Sequence, residues 1–201
     1  MSPKPDVSEQ RKEQILEAAT TAFAKDGFSK TRMDDIAKES GLSKGSLYTY
    51  FKSKDEIFRG ILDTFFQREF KLISRMAEEG AVPAREKLRR ITEVILDDLE
   101  QMKFAMPIFF EFWAMTFRRK GVRGIFQAYL RNYISLIQPL FEEGIDSGEF
   151  RDLDGHQVAM AFGSLIEGSM VVWSYDPETI DLRELLSSNA EIFLDGLEND
   201  R

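Results

Sequence analysis

Apolar residues recur along this chain at spacings of three and four and almost nowhere at two, a period that predicts helices throughout. Ile15, Ala18, Ala19, Ala22 and Phe23 mark a first helix over about 9–25, closed by Gly27-Phe28. Met33, Ile36 and Ala37 give one face of a short helix, with Thr31 and Asp34 spaced as a capping box at its start. Gly41 fits a left-handed C-terminal turn, and Leu42 returns the chain to the core. Ser43 then suits the N-cap of a second short helix whose Leu47 and Phe51 point inward. Ser53 and Glu56 cap a long helix beginning near Lys54. Its stripe of Ile57, Phe58, Ile61, Leu62, Phe65 and Phe66 is too wide for one contact surface, which places a domain boundary inside it, near 52–60.

The rest of the chain continues in the same period. Gly80 to Pro83 is a break, and Leu88, Ile91, Ile95 and Leu99 carry a helix to about Met102. Residues 104–117 are apolar nearly all round, the mark of a buried helix, with Pro107 in its first turn. Gly121 and Gly124 are expected to flank a turn before a helix marked by Ile125, Tyr129, Tyr133, Ile137 and Phe141, kinked at Pro139. Asp154 with Gln157 caps a helix over 155–175, and Asp181 with Glu184 caps the last, 181–198. The expectation is an all-α chain of about nine helices. It divides into a flexible arm (1–8), a three-helix helix-turn-helix domain (9–55) and a second helical domain (56–201).

The stretch TRMDDIAKESGLSKGSLYTYFKSK (31–54) organises this reading, because the outward face of its second helix offers Lys44, Gly45, Ser46, Tyr48 and Thr49, a small and donor-rich surface. Those residues also carry a resemblance. IAKESGLSKGSLYTYFKSKDEIF resembles the DNA-binding signature of the tetracycline-repressor (TetR) family of bacterial regulators, in Ile36-Ala37, the Gly41-Leu42-Ser43 turn, Lys44-Gly45, Leu47-Tyr48-x-Tyr50-Phe51 and Lys54. The match covers roughly residues 11–60. It implies that Lys44, Gly45, Ser46 and Thr49 lie nearest base edges, with Gly45 allowing backbone approach and the Thr49 methyl available to a thymine methyl. It likewise implies phosphate contacts by Thr31, Arg32, Tyr48, Tyr50 and Lys54, assisted by the helix N-terminus at Ser43. Lys4 or Arg11 could reach a minor groove, although a disordered tail explains the same residues.

Net charge, −8, at first argues against nucleic acid. Its distribution reverses that: residues 1–60 hold 11 Lys/Arg and 10 Asp/Glu (+1), whereas 61–201 hold 16 and 25 (−9). There is no cysteine and one histidine, His156, so neither a thiolate nucleophile nor a multi-histidine metal site is expected. Asp34-Asp35, Asp97-Asp98 and Glu142-Glu143 are sequence neighbours that point about 100° apart on a helix, and so are solvated faces rather than acid/base dyads. No phosphate-binding or dinucleotide fingerprint appears. An enzyme, a cofactor or a bound metal is therefore not expected. With no apolar run approaching the ~18 residues of a membrane span and no apolar leader, the expected location is the cytoplasm. The competing reading is an all-α interaction or sensor module, or an enzyme, with no DNA role.

Family resemblance implies a homodimer, its last two helices pairing with their mates in a four-helix bundle, and two reading helices on one palindromic operator. Gly163, Ser164, Gly168 and Ser169 permit close approach there, and Leu185, Leu186 and Phe193 supply apolar knobs; burial within one chain explains the same pattern. Aromatic density in the second domain suggests a cavity for a small hydrophobic effector, lined from Phe109, Phe112, Trp113, Tyr129, Tyr133 and Phe162, with ordinary core packing as the alternative. Glu111, the one charge among those aromatics, fits either a cavity wall or a thin solvent-facing stripe shared with Arg118. The function expected is that of a ligand-responsive transcriptional repressor.

Overall fold

The computed structural model describes residues 7–80 and 82–199, with the side chains of Phe65, Arg68 and Glu69 excepted. The proposed arm residues 1–6, Lys4 among them, Ala81 and the Phe65 side chain lie outside the described residues. Nine α-helices are present in the described chain: α1 (Val7–Asp26), α2 (Met33–Glu39), α3 (Lys44–Tyr50), α4 (Lys54–Ala77), α5 (Ala84–Gln101), α6 (Met106–Met115), α7 (Lys120–Asp146), α8 (Gly155–Tyr175) and α9 (Leu182–Asp195). A single 3-10 turn, Lys103–Ala105, precedes α6, and an isolated bridge joins Phe150 to Glu198.

The chain divides into two compact units. The first holds the described residues up to Gln67 together with Met102–Ala128; the second holds Arg68–Gln101 and the chain from Tyr129 onward. The first unit therefore recruits α6 from far along the sequence. Its core is built by α1, α2 and α3 around Ile15, Ala19, Phe23, Ile36 and Leu47. Phe112 of α6 completes it, stacked on Phe58 with ring planes 11° apart and standing edge-on to Phe28 at 4.2 Å between centroids. Burying such a ring stabilises the fold by roughly 1.5–3 kcal/mol, so this one residue is a main reason α6 stays with the N-terminal helices.

The second unit is organised by Phe141, Phe150, Phe162 and Phe193, whose rings meet at 5.7 to 6.3 Å. Gly144 is required there, because a Cβ at that position would overlap the Phe150 ring. Charges in this unit are gathered on cations. Arg85 bonds Glu191, Asp195 and Glu198, while Arg183 bonds Glu93, Asp97 and Glu100. The buried Lys87 ammonium is held by both oxygens of Glu143 at 2.9 Å, which offsets the cost of removing a charge from water.

Several local expectations change. The residue preceding α2 is Arg32, not Thr31: the Asp35 carboxylate accepts from the Arg32 amide at 2.8 Å, while Thr31 is turned inward. Gly121 and Gly124 lie inside the first turns of α7 rather than around a turn. Pro139 lies within α7, as its place in the pattern predicts. The run 104–117 is only half buried. Met106, Ile108 and Phe112 face the core, but Phe104, Trp113 and Phe117 are exposed, since one helix face is enough to fill the space over Phe28 and Phe58. By length and composition α8 does reach the size of a membrane span, contrary to expectation, while one face of it, with Val158, Phe162, Ile166 and Trp173, is buried in its unit.

Candidate nucleic-acid interface

The connection between α2 and α3 follows from three residue choices. Gly41 takes φ +67°, where a side chain would be strained, and there the chain reverses. The Leu42 amide bonds the Ala37 carbonyl at 3.0 Å and the Gly41 amide bonds that of Lys38 at 3.2 Å, the paired bonds of a Schellman ending. Ser43 then caps α3, its hydroxyl accepting from the Ser46 amide at 3.2 Å. Leu47 is fully buried and Phe51 nearly so, which fixes the rotation of the helix.

That rotation leaves Ser43, Lys44, Gly45, Tyr48 and Thr49 exposed on one side, with Ser46 and Tyr50 half-buried beside them. Nothing lies within 4 Å of a Cβ built on Gly45, so the backbone there is open to a close partner. The Thr49 hydroxyl donates to the Gly45 carbonyl at 3.1 Å, leaving the methyl as its outward group. The Lys44 ammonium sits 2.7 Å from an Asp34 carboxylate oxygen, both side chains well exposed. Hydrogen bonding to Asp34, more than its bare charge, raises the lysine above its ordinary value. Arg32 is exposed at the start of α2.

Two of the residues expected here are occupied elsewhere. Thr31 is 2% exposed and its hydroxyl donates to the Gly27 carbonyl at 2.8 Å and, at 3.3 Å, to that of Ala22. Lys54 donates to the Phe28 carbonyl at 2.6 Å and lies 4.5 Å above the Phe28 ring. Burial lowers the Lys54 ammonium below its ordinary value, although Asp55 and Glu111 pull it upward.

Sequence reasoning missed the partner of that turn. Glu111 of α6 accepts from the Phe28 amide at 2.8 Å, the Ser29 amide at 3.0 Å and the Ser29 hydroxyl at 2.7 Å. Burial alone would raise this carboxyl, but these hydrogen bonds, with Lys54 nearby, outweigh it and hold it below its ordinary value. The only cue in the sequence is a lone acid in an apolar run, which does not say what it meets.

The six aromatic candidates fall three and three into the two units. In the first, Phe112 fills the core, Phe109 meets Phe110 and Phe126 edge-on, and Trp113, 37% exposed, stands against Phe117. In the second, Tyr129 stacks on Phe70 and neighbours Tyr133, whereas Phe162 lies between Phe141 and Phe193.

Comparison with known proteins agrees with this geometry. Residues 15–61 match the family profile described as bacterial regulatory proteins, tetR family, and residues 84–196 match the C-terminal domain of BetI-type transcriptional repressors. The chain is 31% identical over 200 residues to the HTH-type transcriptional regulator YfiR of Bacillus subtilis, covering 96% of each protein. A TetR transcription regulator from Haloarcula marismortui superposes with a TM-score of 0.84 at 18% identity, over 95% of this chain and 100% of the other. The transcriptional regulator FadR of Bacillus subtilis, solved in complex with stearoyl-CoA, superposes with a TM-score of 0.73 at 25% identity, over 92% and 99%. The chain belongs to the TetR family of bacterial transcriptional regulators, whose helix-turn-helix it carries on α2 and α3.

Proposed function

We propose that the protein is a dimeric repressor that reads a palindromic operator with α3 and leaves it when a small apolar effector binds. The observation that carries this reading is the outward face of α3. A flat, open Gly45 stands beside the donors of Lys44 and Ser46 and the Thr49 methyl, the groups that base edges in a major groove can meet. Arg32, Tyr48 and Tyr50, with the first-turn amides of α3, would hold phosphates and so set the register. Such a protein works where the chromosome is, in the cytoplasm. The functional division runs close to residue 55, with 9–55 reading DNA and 56–201 sensing and dimerising.

Dimerisation is supported by what α8 and α9 leave uncovered. Met160, Val172, Tyr175 and Ile192 are exposed, with open space above Gly168. A second copy would cover this surface and set two reading helices about one DNA turn apart. An apolar effector is supported by the stearoyl-CoA complex of the related FadR. Of the aromatic candidates, Tyr129, Tyr133 and Phe162 lie together in the second unit, whereas Phe112 is taken up by the core of the first. An effector that favours the DNA-incompetent state must bind less tightly when operator is present.

Selection of bound fragments from random duplex DNA, followed by titration of the selected site against salt, tests the reading. A palindromic site and a steep salt dependence are expected. Absence of binding to any duplex at low salt would overturn it. An acyl-CoA or apolar drug that quenches Trp113 fluorescence and releases the operator identifies the effector class.

A further inference from the structure

Five hydrogen bonds converge on the turn between α1 and α2, and they come from two helices, α6 and α4. From α6, Glu111 takes the Phe28 and Ser29 amides and the Ser29 hydroxyl. From α4, Lys54 gives its ammonium to the Phe28 carbonyl and, at 3.4 Å, to that of Ser29. Three residues further on, Thr31 and Arg32 lead into α2, so the position of this turn sets where the helix-turn-helix begins. Gly27, at φ +78°, lets the chain leave α1 into the turn, and a Glu111 oxygen would lie only 3.5 Å from a Cβ there. Phe112, the neighbour of Glu111, is locked between Phe28 and Phe58, so the carboxylate is delivered from a rigid point. Arg119 adds a 3.2 Å ion pair to Asp55, next to Lys54.

We propose that Glu111 and Lys54 are positioning residues for operator reading, Glu111 holding the amides of the Phe28–Ser29 turn and Lys54 its carbonyls, so that α6 fixes the placement of α2 and α3. Lys54 acts as an internal anchor rather than as a phosphate contact. The proposal rests on the DNA-reading function above and goes beyond it, because it assigns the competence of the reading head to a helix outside the helix-turn-helix.

The two roles of Lys54 make different predictions for the same measurement. Operator affinity is titrated against salt for the full-length wild type, Glu111→Gln, Lys54→Met and the double variant, with a scrambled duplex as the non-specific control. As positioning residues, each single variant weakens operator binding about tenfold, the scale of losing a charge-assisted hydrogen bond. The salt slope stays at the wild-type value, discrimination against the scrambled duplex falls, and the double variant is no worse than the weaker single one. Amide hydrogen exchange of the free protein reports the grip directly, with Phe28 and Ser29 exchanging faster in Glu111→Gln while the α8 amides stay protected. A phosphate contact gives the opposite pattern: Lys54→Met lowers the slope by about one and Glu111→Gln leaves DNA binding unchanged. That result, or unchanged exchange at Phe28 and Ser29, overturns the proposal. If the wild type binds no duplex while those two amides are protected, it is the DNA-reading function that has failed and the positioning role falls with it.

Discussion

The face of α2–α3 and the face of α8–α9 are both left uncovered, and they are built from opposite materials. Residues 31–54 carry five basic and three acidic side chains, a net +2, and expose hydroxyls, a phenol and an open glycine backbone. The α8–α9 surface exposes Met160, Val172, Tyr175 and Ile192. The surrounding unit does contain arginines, but Arg85 and Arg183 are each held by three carboxylates and so contribute no positive surface. A cation therefore marks a DNA face only where carboxylates do not outnumber it, as with Lys44 and its single partner Asp34. The first surface suits a wet, salt-sensitive partner. The second suits a dry one, a copy of itself.

The largest effect is expected where the second face is charged. Val172→Asp or Ile192→Asp, both exposed in the single chain, should leave the fold intact and give monomers in sedimentation. Operator affinity should fall by about 10²–10⁴, because two half-sites are no longer held by one linked pair of readers. Wild-type affinity in a proven monomer would end the comparison. Phe112→Ala comes next. Removing a fully buried ring should destabilise the first unit by roughly 3–5 kcal/mol in chemical denaturation, while Trp113→Ala, one residue on, should cost far less. Equal losses would show that the two side chains are not divided between core and surface. Lys44→Ala should weaken operator binding by roughly 1–3 kcal/mol and relax one base preference in a selection experiment. The depressed Glu111 carboxyl gives a pH test. Its contribution is complete above the ordinary carboxylate value of about 4 and is lost only as pH falls through the lower folded value, so Glu111→Gln should weaken operator binding equally from about pH 6 to about pH 8.

The sequence made the helices and caps legible because these are local. Ser43, Asp154 and Asp181 accept from the amides three residues on, as their spacing requires. The Gly41 ending was legible for the same reason. What was not legible depends on contacts between distant segments. Thr31 looked like a cap beside Asp34, but the cost of leaving its hydroxyl unpaired in a buried site is met by the Gly27 carbonyl, and the capping role passes to Arg32 and Asp35. Lys54 and Glu111 are 57 residues apart, and no periodicity could say that they grip the same turn. The aromatic run of α6 announced burial, yet composition could not say which half of it would be covered.

The smallest expected effect concerns Asp34, and it asks how the reading face stays selective. Lys44 opens α3, where the helix dipole is positive and a cation is unfavourable. Asp34 compensates from 2.7 Å away. The pair is exposed, so it adds little to stability, on the order of 0–1 kcal/mol. Its consequence lies in binding, since a phosphate that takes Lys44 must displace Asp34 and then tolerate a carboxylate nearby. This penalty falls on the phosphate contact that Lys44 makes on any duplex, whereas on the operator Lys44 meets a base edge instead and the penalty is smaller. Asp34→Asn should therefore raise affinity for a scrambled duplex by a few-fold and steepen its salt slope by up to about one, while operator affinity rises less. Thermal stability should hardly change. If the scrambled and selected duplexes gain equally, Asp34 is only a charge on the surface, and the selectivity of this face lies entirely in the groups that meet the bases.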